Sequence, residues 1–386
     1  MQREDRLHYM DNLRALAMLA GVVFHAALAY SPLMHPIWPT ADTGHALIVD
    51  IVAWFFHLFR MPLFFVVSGF FAALLVNNRG MAGFFRNRCA RVLLPLLICL
   101  PLIITSLHWL TAEAAVNAAQ PSPVLIWLRA YIAENGAMPY APGWAHLWFL
   151  FYLMLFTVLV WVVSAFELAR FSKKIATLHP AILPLAFPLL LTPALAGVTV
   201  PWSAPEFFLP SLWALFFFGA YFALGYQMFL STALLERLRS RSSLWLIGGL
   251  AAYAALFWLS NGFISQGNAS QHFAYALLEA YAGFWLTLWC LITAKQWLDS
   301  SNALMRWLAD ASYWVYLIHL PLLFAIQYRL LDVTMHWTAK FAIALMATLA
   351  LSFLSYQLLV RHTVMGKLLN GRVPKKRHGI DVPKAI

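Results

Sequence analysis

Four histidines, His25, His57, His146 and His319, stand in or at the edge of apolar runs, and Arg60 lies inside one. Polar groups at membrane depth cost several kcal/mol, so each needs a reason. Arg14 and His25 are eleven residues apart. In a helix that separation is about three turns and roughly 16 Å, so the two share one face. His57 and Arg60 are one turn apart on a second apolar run, with His57 about 15 Å from the run's start, close to the depth expected of His25. Arg86, Arg88 and Arg91 fall within one and a half turns of each other, a spacing suited to phosphate groups. A titratable imidazole deep in one half and a phosphate binder at one mouth fit acyl transfer from a coenzyme A thioester. Such a donor carries phosphates at one end and its reactive carbonyl about 20 Å away, a reach comparable to the helix length.

The elements that position these groups follow from composition. Of 386 residues, 62% are hydrophobic and 11% charged, with mean hydropathy +0.73. That composition cannot cover a water-exposed surface. Apolar stretches of about 20 residues, the length that spans a bilayer core, fall at 11–31, 47–76, 91–110, 145–165, 181–199, 207–229, 243–260, 271–293, 311–330 and 338–360. The expected fold is therefore all-α, a polytopic integral membrane protein of about ten helices. The stretch 47–76 is longer than needed, which implies tilt or a protruding end. Pro184, Pro188 and Pro193 predict a kink in the fifth.

Lys and Arg set the topology. All of the 26 except Arg60, Arg129, Arg329 and Lys340 fall on one side of this ten-span arrangement, in alternate connections. The rule that basic loops stay inside puts both termini in the cytoplasm. The same alternation accounts for the net charge of +11, which otherwise suggests nucleic acid; short basic clusters between apolar runs are not a nucleic-acid stripe, and no nucleic-acid partner is expected. Residues 1–365 are expected to form the membrane domain and 366–386 a basic cytoplasmic tail in contact with lipid headgroups. The first span imitates a secretion signal, but His25 interrupts its apolar run and cleavage would invert the remaining topology. The connection 111–144 is read as re-entrant or interfacial pieces. Cys89, Cys99 and Cys290 have no metal-ligand spacing, and no metal is expected. No internal repeat is visible, which weakens an inverted-repeat transporter reading.

The run Asp11-Asn12-Leu13-Arg14-Ala15 with His25 resembles the first-helix signature of the acyltransferase-3 family of membrane O-acyltransferases. Phe59-Arg60-Met61-Pro62-Leu63-Phe64-Phe65-Val66-Val67-Ser68-Gly69-Phe70 resembles its second-helix block, and Arg88, Arg91 and Pro95 its basic loop. His146-Leu147-Trp148-Phe149-Leu150 and Tyr316-Leu317-Ile318-His319-Leu320-Pro321 also match. Within the family, His57-x-Phe59-Arg60-Met61 looks most like the branch that succinylates osmoregulated periplasmic glucans. No segment of these 386 residues resembles the soluble C-terminal domain common in the family, so acceptor choice is expected to lie in the membrane part and outer loops.

The resemblance implies a bacterial inner-membrane enzyme that moves an acyl group, succinyl or acetyl, from cytoplasmic acyl-CoA to a hydroxyl of a periplasmic glycan. His25 would be the general base. Arg14, Arg86, Arg88 and Arg91 would hold the donor's phosphates, with acyl-CoA a substrate and no tightly bound cofactor. His57 and Arg60 would orient the acyl group or stabilise the oxyanion, and Arg60 has the charge to pair with a succinyl carboxylate. His146, Trp148 and His319 would face the substrate, with Trp144 and Trp148 a possible sugar-stacking platform. Ser68 is a candidate acyl-enzyme nucleophile, though its place nearer the cytoplasmic end favours direct transfer.

Blander readings stand beside these. His25 could be a buried histidine satisfied by a neighbouring backbone, the three loop arginines positive-inside signals, and Ser68 and Gly69 small residues for close helix approach. Two other functions use the same groups: a proton-coupled or organic-anion transporter, and a non-catalytic scaffold for glycan export. The oligomeric state is not legible.

Overall fold

A computed structural model describes residues 8–139, 143–165, 182–231, 233–300 and 302–370. Every regular element among them is helical. In chain order these are α1 (His8–Leu28), α2 (Leu47–Arg88), α3 (Leu94–Asn117), α4 (Pro123–Asn135), α5 (Trp148–Ala165) and α6 (Ile182–Leu195). There follow α7 (Leu212–Leu230), α8 (Ala233–Arg239), α9 (Ser242–Leu259), α10 (Ala269–Trp297), α11 (Ala303–Leu331), α12 (Trp337–Ser355) and α13 (Val364–Asn370). Eight stretches are long and apolar enough to cross a membrane, and one of them, Leu47–Asn117, is 71 residues long. That stretch holds two of the ten expected spans, divided at Gly80, whose φ of 66° and ψ of 176° no helix contains. The proline-rich fifth span is the short helix α6, with Pro188 and Pro193 inside it. All ten apolar segments are thus helical, and the chain is a multi-pass, all-α membrane protein.

α2 is the axis of the bundle. It packs along α7, where Gly69 abuts the Phe222 carbonyl and Gly225 abuts that of Val66, contacts with no room for a Cβ on either side. Small residues at such crossings let two backbones approach. Gly283 of α10 meets the Leu58 carbonyl in the same way. Against this axis pack α1 and α10, and α11 packs along α1. Outward-facing Leu102, Ile247 and Met346 are exposed, as residues facing hydrocarbon should be.

Two connections carry structure of their own. The segment 111–144 is largely helical: α3 continues to Asn117, and α4 folds back on it. Arg129 of α4 caps α3 by donating from Nε to the Ala115 carbonyl at 2.6 Å and from Nη2 to that of Ala118 at 2.7 Å. Those terminal carbonyls otherwise have no partner in their own helix. The connection after α1 is not a free loop either. Asp42 pairs with Lys340 of α12 at 2.6 Å, Thr40 donates to Gln327 at 2.7 Å, and Ser31 bonds Asp50.

At the boundary proposed for the tail, α13 spans residues 364–370, and its Leu369 is buried. Residues 371–386 lie outside the described residues, as do Arg3, Arg6, Arg170, Lys173 and Lys174.

Candidate active site

The first-helix and second-helix groups meet around one ring, Phe24. His57 stacks on it with centroids 5.1 Å apart, the Arg60 guanidinium sits 4.5 Å over it, and His25 adjoins it at 5.5 Å. Arg60 reaches this place from α2 alongside Gly21 of α1, its Nη1 3.5 Å from where a Cβ of residue 21 would stand. Its one hydrogen bond is a long one, 3.4 Å from Nη1 to the Ala20 carbonyl, and its Nε is buried without a partner. Arg60 is 6% exposed and no carboxylate pairs with it among the described residues.

α11 closes the site. His25 Nδ1 and His319 Nε2 are 2.8 Å apart, with their rings parallel at 4°. His319 Nδ1 is 2.7 Å from the Tyr316 carbonyl, three residues back on the same helix. His146 sits edge-on to His319 at 5.0 Å, and its Nε2 approaches the Tyr316 and Leu317 carbonyls at 3.1 and 3.2 Å. The Tyr316 hydroxyl returns a bond to the His146 carbonyl at 2.7 Å. Ala145, just before His146, holds a left-handed φ of 46°, a costly conformation for a residue with a side chain that the surrounding packing must enforce.

Protons follow from these distances, because a carbonyl only accepts. His319 must therefore donate from Nδ1, which leaves its Nε2 as a lone pair. His25 must then donate from Nδ1 to that lone pair, and its own basic nitrogen is Nε2. The same rule makes His146 donate from Nε2. His57 Nε2 is 2.9 Å from the Trp202 carbonyl, so it too donates, and its buried, unpartnered Nδ1 is an acceptor. His25, His57, Arg60, His146 and His319 thus share one site, although up to 294 residues separate a bonded pair. Trp148 is packed instead against Phe65, Tyr152 and Phe218. Trp144 stacks on Phe151 at 4.4 Å.

The arginines expected to hold phosphates lie at the end of the bundle where α1 begins. Arg14 is part-exposed, 3.4 Å from Asp11 and over the Phe71 ring. Arg88 and Arg91 are close enough to each other and to Arg14 to repel. Backbone carbonyls already take part of their bonding capacity: Arg88 Nη2 donates to Ser68 at 3.2 Å, and Arg91 Nε to Leu369 at 3.0 Å. Arg86 is exposed. Ser68 is half-buried on α2, eight residues beyond Arg60 toward the arginine end, and its carbonyl accepts from Arg88.

Sequence reasoning did not single out Phe24, Tyr316 or Glu279. Tyr316 and Phe24 carry no charge to draw notice. Glu279 did carry a signal, an acid inside an apolar span; it is 2% exposed and accepts the Trp202 N–H at 2.9 Å.

Comparison with known proteins bears on the family. The family model described as an acyltransferase domain, Acyl_transf_3, matches residues 7–357. The chain is 24% identical over 389 residues to glucans biosynthesis protein C of Escherichia coli K12, covering 98% of each. It is 25% identical over 391 residues to the protein of that name from Salmonella typhimurium LT2, covering 96% of each. No solved structure matches. With a family match over nearly its whole length, the chain belongs to the acyltransferase-3 family and is a membrane acyltransferase.

Proposed function

We propose that the protein transfers a succinyl group from succinyl-CoA, bound at the cytoplasmic end, to a hydroxyl of a periplasmic glucan, with His25 as the general base. The observation that carries this reading is the hydrogen-bonded series from the Tyr316 carbonyl through His319 to His25. It leaves His25 with a basic Nε2 and a fixed ring, the relation of base to orienting partner that acyl transfer requires.

The reaction then runs as follows. His25 Nε2 removes the proton from the acceptor hydroxyl as its oxygen attacks the thioester carbonyl. The carbon–sulfur bond breaks, and the departing thiolate takes the proton from His25. The imidazolium formed in between donates from Nδ1 to His319, whose own Nδ1–H stays on the Tyr316 carbonyl. Arg60 supplies a buried positive charge beside Phe24 that has no carboxylate of its own. A planar guanidinium in that state suits a carboxylate ligand, which favours succinyl over acetyl. The relatives are named for glucan biosynthesis, which supports a glucan acceptor. The arginines at the α1 start, with the basic connections on that side, support a cytoplasmic donor and a bacterial inner-membrane location.

The test is transfer of labelled succinyl from succinyl-CoA to periplasmic glucan by the purified full chain in lipid nanodiscs. The intact chain should transfer label and His25→Ala should not; transfer by His25→Ala at the intact rate would reject the base assignment. Accumulation of succinate inside sealed vesicles with no labelled glucan would favour an organic-anion transporter instead.

A further inference from the structure

Glu279 is a buried acid to which acyl transfer assigns no part. It lies ten residues into α10, 2% exposed. One carboxyl oxygen accepts the Trp202 N–H at 2.9 Å, and the other is buried without a partner. An unpaired polar group in such a place is costly, so its retention calls for a use.

Its contact is the backbone of a residue that also holds a site histidine. The Trp202 carbonyl accepts from His57 Nε2 at 2.9 Å, and the Trp202 side chain, 0% exposed, lies 3.9 Å from the His57 ring, centroid to centroid. The chain around Trp202 is a connection between α6 and α7 that is drawn into the bundle. Val200, two residues earlier, is tied to Gln266 by bonds at 3.0 and 3.1 Å. Glu279 is the tie on the other side. If the Trp202 backbone turned, both the Glu279 bond and the His57 bond would break together.

We propose that Glu279 is a positioning residue for His57, acting through the Trp202 backbone, and that it commits His57 to accepting a hydrogen bond from a hydroxyl of the acceptor glycan. The proposal rests on the acyl-transfer reading. With Nε2–H held by the Trp202 carbonyl, neutral His57 has no proton left to offer an oxyanion. What remains is the Nδ1 lone pair, buried and unpartnered beside Phe24. Its complement is a donor, and in a sugar acceptor that donor is a hydroxyl. His57 therefore reads the acceptor, while Arg60, one turn on, faces the acyl group.

The test compares Glu279→Gln, which keeps an oxygen for the Trp202 N–H, with Glu279→Leu, which fills similar space without one. Each is made with His57 intact and with His57→Ala, in the full chain in nanodiscs with succinyl-CoA and periplasmic glucan. Glu279→Leu should raise the glucan KM about tenfold, the loss of one neutral hydrogen bond, and leave the succinyl-CoA KM unchanged. Glu279→Gln should stay near the intact value, and with His57→Ala the Leu substitution should add nothing further. Equal losses with and without His57, a fall in kcat at constant glucan KM, or a His57→Ala variant with an unchanged glucan KM would overturn the proposal. Hydrogen exchange at the Trp202 amide supplies a readout that needs no activity. It should quicken in Glu279→Leu and not in Glu279→Gln; an unchanged rate in the Leu variant would remove the tie itself. Failure of the intact chain to transfer any acyl group would defeat the acyl-transfer reading while the exchange result still judged the tie.

Discussion

One lysine and one arginine are buried among the described residues, Lys340 at 3% and Arg60 at 6% exposure. Lys340 holds Asp42 at 2.6 Å, and the other Asp42 oxygen accepts the Gly44 N–H at 2.8 Å. Charge and hydrogen bonds are satisfied there by the chain itself, and the result ties the connection after α1 to α12. Arg60 has one long bond to a carbonyl, a ring beneath it and no acid. A buried ion pair can serve structure alone, but a buried cation without a counter-ion is costly unless a ligand supplies one. The contrast separates a fastening from a site with no need to know the ligand in advance.

Substitutions can break that contrast. Asp42→Ala should lower stability by roughly 3–5 kcal/mol, because Lys340 would be left buried and unpaired. Asp42→Asn with Lys340→Met should recover most of it, read as detergent melting temperatures. Arg60→Met should do the reverse: melting temperature held or raised, and succinyl transfer lowered about a hundredfold, as expected for loss of one partner of a desolvated charge pair. Acetyl transfer should suffer less; equal losses for the two acyl groups would remove Arg60 from carboxylate recognition.

Smaller effects sharpen the picture. His319→Ala should lower kcat about thirtyfold, since His25 loses the group that fixes its ring and its basic nitrogen. In a His25→Ala background the same change should cost nothing more. Arg88→Ala should raise the succinyl-CoA KM about threefold, the scale of a partly exposed charge contact. An unchanged KM would reduce it to a topology signal and a tie to the Ser68 carbonyl.

The same contrast explains what the sequence could tell. Helices were legible because each apolar run must satisfy its backbone internally in hydrocarbon, and even the division at Gly80 lies between two expected spans. The face shared by Arg14 and His25 was legible from helical geometry. Which helix would meet that face was not. His25 and His319 are bonded across 294 residues, and no periodicity carries that pairing. Nor does sequence reveal that Arg60 lacks a partner while Lys340 has one, since Asp42 lies in a connection that composition reads as a plain loop. Arg88 and Arg91 show the opposite failure. Positive-inside placement and phosphate binding call for the same residues at the same spacing, and only the structure shows the backbone carbonyls that share them. Glu279 was visible as an acid in an apolar span; its meaning depended on Trp202, which arrives from another connection.

The central claim, that His25 drives acyl transfer to a glycan, is tested most directly by mass spectrometry of periplasmic glucans. The comparison is between cells carrying the intact chain and cells carrying His25→Ala at equal membrane abundance. A succinyl mass increment on the glucans of the first and none on those of the second is the predicted result. Identical glucans from both, whether modified or bare, would contradict it.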